Sequence, residues 1–80
     1  MPRYLVESYS ADAAVDEARE RARLAAELEP GVRYVRSTFV PTDEFVLHVF
    51  EAPSADVLSR AGKRAALQYQ RIVEAREGEQ

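Results

Sequence analysis

The sequence predicts one small α+β domain with element order βαββαβ, and three observations carry that expectation. Short β-rich runs recur at Tyr4–Tyr9, Val32–Val40, Glu44–Glu51 and Tyr69–Ala75. Two segments between them carry apolar residues at helical spacing of three and four. Eighty residues, 46% hydrophobic and 31% charged, suffice for one core and not for two.

The first strand is bounded by Ser8 and Ser10. Ser10 is positioned to cap the helix that follows, and Asp12 sets a negative charge at its positive end. Ala11, Ala14, Val15, Ala18, Ala22, Ala25 and Leu28 form the apolar stripe of that helix, with charged residues opposite. Pro30 forces Glu29 out of helical geometry and Gly31 tolerates the turn, so the helix ends there. The strand Val32–Val40 meets the turn Pro41-Thr42-Asp43, and a third strand runs from Glu44 to Glu51. Ser54 is the expected N-cap of the second helix, whose stripe is Val57, Leu58, Ala61 and Ala65. Gly62 weakens its middle, so an early end or a bend before Leu67 is expected. Tyr69–Ala75 is the last strand. With right-handed crossovers this order gives a ferredoxin-like, four-stranded antiparallel sheet, strands one and three central and both helices on one face. Residues 1–76 form the domain, and 77–80 are read as a flexible polar tail.

Alternation then assigns side chains to faces. The odd set of the third strand, Phe45, Leu47 and Val49, is wholly apolar and is assigned to the helices, with Tyr4, Val6, Val35, Phe39 and Ile72. The open face receives Leu5, Val46, Phe50 and Val73 beside Glu7, Tyr9, Tyr34, Arg36, His48 and Arg71. So many apolar residues on one open sheet need a cover, and a second copy of the chain supplies the simplest one. A homodimer is expected, enclosing a partly polar chamber.

Within that chamber His48, the sole histidine, is the acid/base candidate near neutral pH, with Glu7 as its expected neighbour. Glu7 and His48 are also the candidate metal ligands, short of a full set unless a second subunit contributes. Tyr34, Arg36 and Arg71 complete the candidate ligand-binding set, the arginines being suited to an anion. The plainer alternatives are a core histidine bonded to Glu7 or to a tyrosine hydroxyl, and arginines paired with glutamates.

Composition excludes other uses. A net charge of −3 disfavours nucleic acid, and the lack of cysteine removes disulfides, thiolate metal sites and thiol nucleophiles. No run reaches the ~20 apolar residues of a membrane span, and the opening meets a charge too soon for a signal peptide, so no membrane partner and a cytoplasmic location are expected. No glycine-rich loop cradles phosphate.

The stretches Arg36-Ser37-Thr38-Phe39-Val40-Pro41, Phe50-Glu51-Ala52-Pro53-Ser54-Ala55 and Arg71-Ile72-Val73-Glu74-Ala75, with the opening Met1-Pro2-Arg3-Tyr4-Leu5-Val6-Glu7, resemble a family of small bacterial proteins. That family is catalogued as a domain of unknown function and includes a small nickel-binding protein. The resemblance implies a dimeric ferredoxin-like fold and, as cofactor, a divalent metal such as nickel. Many similar sequences carry a proline, a glycine and an aspartate in the segment that here reads Ala66-Leu67-Gln68-Tyr69-Gln70-Arg71-Ile72, and others carry cysteine at the position of His48. The expected function is non-catalytic binding of a small ligand or metal between paired sheets. The alternatives are a small dimeric enzyme with His48 as general base, or an accessory domain that binds another protein.

Overall fold

In a computed structural model of the protein, which describes residues 1–76, strands β1 (Arg3–Tyr9), β2 (Arg33–Val40), β3 (Phe45–Glu51) and β4 (Arg71–Ala75) form one sheet. Its order is β2-β3-β1-β4, and every neighbouring pair is antiparallel. Helices α1 (Val15–Leu28) and α2 (Ala55–Arg64) pack on one side of it. This is the ferredoxin-like βαββαβ arrangement, with β1 and β3 central. The tail expected at 77–80 lies outside the described residues.

Local chemistry explains most boundaries. Ser54 caps α2, its hydroxyl accepting from the Val57 amide at 3.2 Å. Glu29, before Pro30, is extended and ends α1, and Gly31 takes φ 91°. Ser10 does not cap α1. Its hydroxyl donates to the Ala11 carbonyl, and a 3₁₀ turn over Asp12–Ala14 leads into the helix instead. Glu44 belongs to the turn rather than the strand, closing the Pro41–Asp43 3₁₀ turn at φ 49°.

Gly62 sits where a side chain would be crowded. It is buried against Tyr69, and a Cβ there would stand 3.3 Å from the tyrosine ring. The helix runs past Gly62 to Arg64. It closes with a Schellman turn, in which Leu67 N–H donates to the Gly62 carbonyl at 2.8 Å and Ala66 takes φ 57°.

One core joins the helices to one sheet face. Ala22 and Ala25 of α1 and Leu58 and Ala61 of α2 meet Tyr4, Val6 and Phe50, with Ala65 and Leu67 closing one end. Alanines on α1 let the helix lie close to the sheet. The pairing Tyr4↔Phe50 and Val6↔His48 puts the even residues of β3 on this face, the reverse of the expectation from hydrophobicity alone. Val46, His48 and Phe50 are fully buried under the helices. Phe45, Leu47 and Val49 point the other way, opposite Tyr9, Glu7 and Leu5.

Candidate functional site: the helix-free sheet face

The register lays out this face in rows. Arg36, Val49, Leu5 and Val73 share one row, and Thr38, Leu47, Glu7 and Arg71 the next. Phe45 packs edge-on against Tyr9 beyond them, ring centroids 5.9 Å apart. The centre is thus an apolar stripe of Leu5, Phe45, Leu47, Val49 and Val73. Val49 is already shielded at 3% exposure, whereas Leu5, Phe45, Leu47 and Val73 are half-buried.

Charged groups surround the stripe. Glu51 accepts from Arg3 at 3.0 Å and from Arg33 at 2.9 Å, and these bonds, Arg3 foremost, hold its carboxyl below the usual carboxylate range. Arg71 Nε donates to Glu7 at 2.9 Å, which raises the guanidinium pKa further. Such surface pairs are worth ~0–1 kcal/mol each, so they orient side chains more than they stabilise the fold. Arg36, on edge strand β2, is exposed, and its side chain forms no ion pair or hydrogen bond among the described residues.

Of the sequence-predicted site residues, the structure brings Glu7, Arg36 and Arg71 to this face and takes Tyr34 and His48 to the other. Tyr34 moves because of an irregularity in β2. The register shifts between Tyr34 and Arg36, so Val35 is an extra residue and the alternation changes phase there. Tyr34 consequently lies under the helices, edge-on to Phe50 at 5.6 Å, with the Arg23 guanidinium 5.7 Å from its ring centre.

His48 sits inside the core. Ser37 Oγ is 2.6 Å from His48 Nδ1 and 2.6 Å from the Tyr34 hydroxyl, forming a partly buried chain of three side chains. His48 Nε2 is buried and has no hydrogen-bond partner among the described residues. Burial drives the imidazole pKa down to about 4, so it is neutral across the physiological range. A neutral ring accepts from Ser37 or donates to it, and both arrangements fit the distance. Glu7 projects from the opposite side of the sheet, so the proposed Glu7–His48 metal pair and the proposed general base oriented by Glu7 are both undone. Among the described residues no three histidine or acidic side chains converge as metal ligands. The signal for the inner placement of His48 was the company it keeps, since Ser8 and Ser37 are the small polar residues that share the helix-facing side of neighbouring strands.

A concavity of about 380 Å³ lies elsewhere, between the start of α1 and the α2–β4 connection. Several of its polar groups bond within the protein. Ser8 donates to the Gln68 carbonyl at 2.8 Å, and Arg21 is shared between Glu17 and the Ala65 carbonyl.

Fold and site together define a small ferredoxin-like α+β domain whose open sheet face is apolar at its centre and charged around it. No protein-family model and no curated protein matches the chain. Among solved structures, it is similar to the crystal structure of SCO4226 from Streptomyces coelicolor A3(2), with a TM-score of 0.75 and 20% identity over 96% of this chain and 99% of that one. At that identity the likeness is one of fold. No helix among the described residues is long and apolar enough to cross a membrane.

Proposed function

We propose that the protein is a non-catalytic binding domain that works as a homodimer, two copies pairing through their helix-free sheet faces around a small ligand. The carrying observation is the apolar stripe of Leu5, Phe45, Leu47, Val49 and Val73 on the one sheet face no helix covers. Burying a half-exposed Leu or Phe there contributes on the order of 1 kcal/mol per side chain. That is a large increment for an 80-residue domain, which shields only ~60–65% of its chain surface alone. The broad side of the molecule measures 35 by 32 Å, ample for the ~800 Å² per partner of a standard interface. An apolar centre with arginines around it is also the usual composition of such a contact.

The metal and enzyme alternatives lose their residues. A divalent ion has Glu7 on one side of the sheet and His48 on the other, and Glu7 is already engaged by Arg71. A general base needs access to substrate, and His48 is fully buried.

Multi-angle light scattering tests the pairing. Wild type is expected at the mass of two chains and Leu47→Glu at the mass of one, both with native far-UV circular dichroism. Wild-type protein at one-chain mass up to its solubility limit overturns the proposal.

A further inference from the structure

The helix-free face has the opposite charge to the chain that carries it. The protein is −3 overall, yet among the described residues Arg3, Arg33, Arg36 and Arg71 stand on this face against Glu7 and Glu51. Both glutamates are held by arginines, Glu51 between Arg3 and Arg33 and Glu7 by Arg71. Arg36 is left with no carboxylate among the described residues. Two positions on, Thr38 presents its hydroxyl from the same side of β2, and it too forms no hydrogen bond among the described residues. Side chains two apart on a strand stand ~7 Å from each other, a spacing one anionic head group can bridge. A guanidinium takes a carboxylate through two parallel hydrogen bonds, and the hydroxyl adds a third donor.

Beside these donors the surface turns apolar at once. Arg36 pairs across the sheet with Val49 and Thr38 with Leu47, and Leu5 lies one strand further in. Because β2 is an edge strand, a head group on Arg36 stays at the rim while a hydrocarbon body runs inward over the stripe.

We propose that this face binds an amphipathic monoanion, a carboxylate on an aliphatic or aromatic body, anchored by Arg36 and Thr38. The inference rests on the helix-free face being the binding surface, and it names the chemistry of the ligand. Positive charge at the rim of an apolar stripe selects against a neutral lipid, which gains nothing from Arg36, and against a cation, which the excess of arginine repels.

Calorimetric titration with octanoate, and separately with octanamide, tests it on wild type and Arg36→Gln. Octanoate is expected to bind wild type with an affinity that falls as salt rises, and to bind Arg36→Gln about tenfold or more weakly, the loss of a charge-assisted hydrogen bond. Octanamide is expected to bind both proteins alike, and more weakly than octanoate binds wild type. Absence of octanoate heat in wild type, equal affinity in Arg36→Gln, or equal affinity for acid and amide overturns the proposal. Retention of an acidic peptide without octanoate binding also overturns it and gives Arg36 to a protein partner. Light scattering on the same samples keeps the pairing separate, since a one-chain mass with Arg36-dependent octanoate binding removes the dimer and leaves the anion site.

Discussion

Acidification from pH 7 to pH 5 should destabilise this protein through His48. In the unfolded chain the imidazole takes up a proton near pH 6.5, whereas in the folded protein burial holds its pKa at about 4. Between those values the unfolded state binds a proton that the native state refuses, so stability is complete above pH 6.5 and declines as pH falls towards 4. The whole gap corresponds to about 3 kcal/mol, of which about 2 kcal/mol is lost by pH 5. The interval stops at pH 5 because Glu51, whose pKa is also lowered, loses its own contribution only as pH falls through the carboxylate range below that. Urea unfolding at pH 7, 6 and 5, at one protein concentration, measures the slope. His48→Leu removes the titrating group, and its stability should stay nearly flat over the same interval whatever its absolute value. Parallel declines in the two proteins, or a folded-state His48 titration near pH 6.5 by NMR, would refute the reasoning.

Three further outcomes are expected. Ala66→Gly should raise stability by about 0.5–1 kcal/mol in urea unfolding, because φ 57° is strained for alanine and free for glycine at the end of a Schellman turn. Ser37→Ala should cost about 1–3 kcal/mol by the same measurement, since it strips a partner from both the Tyr34 hydroxyl and His48 Nδ1. If two copies pair, the melting temperature should rise by a few degrees for each tenfold increase in protein concentration, and calorimetry of Leu47→Glu should show no such dependence.

The fold was legible because its signals are local. Pro30, Gly31, Pro41 and Ser54 mark ends with chemistry that acts within a few residues, and helical spacing locates α1 and α2 without reference to anything distant. Central β1 and β3 followed from the element order alone. The faces were harder, because a strand's two sets are told apart only by what crosses to them. For β1 and β4 the assignment of Tyr4, Val6 and Ile72 to the helices holds. For β3 it fails, since apolar content favours Phe45, Leu47 and Val49 for the core while the register with β1 carries Val46, His48 and Phe50 inward. For β2 one extra residue at Val35 changes the phase, so Tyr34 and Phe39 lie on the same side although their positions differ by an odd number. No composition rule reveals a bulge. The candidate site inherited both errors, retaining Glu7, Arg36 and Arg71 and losing Tyr34 and His48.

The reversal on β3 bears on why the open face is apolar. The opposite register would keep Phe45, Leu47 and Val49 inside and turn Val46, His48 and Phe50 outward, leaving the imidazole in water, where it needs no protein partner. This chain does the opposite. It buries an imidazole under α1 and α2, at the expense of lowering its pKa to about 4, and supplies Ser37 and Tyr34 to satisfy one of its nitrogens. The same choice places three consecutive apolar side chains of a central strand on the side without helices. Both halves of the arrangement are unfavourable for an isolated monomer, and each is relieved by different means. The hydrogen bond between Ser37 and His48 Nδ1 relieves part of the first. Only contact with another apolar surface relieves the second, so the uncovered apolar stripe and the burial of His48 are two consequences of one strand register.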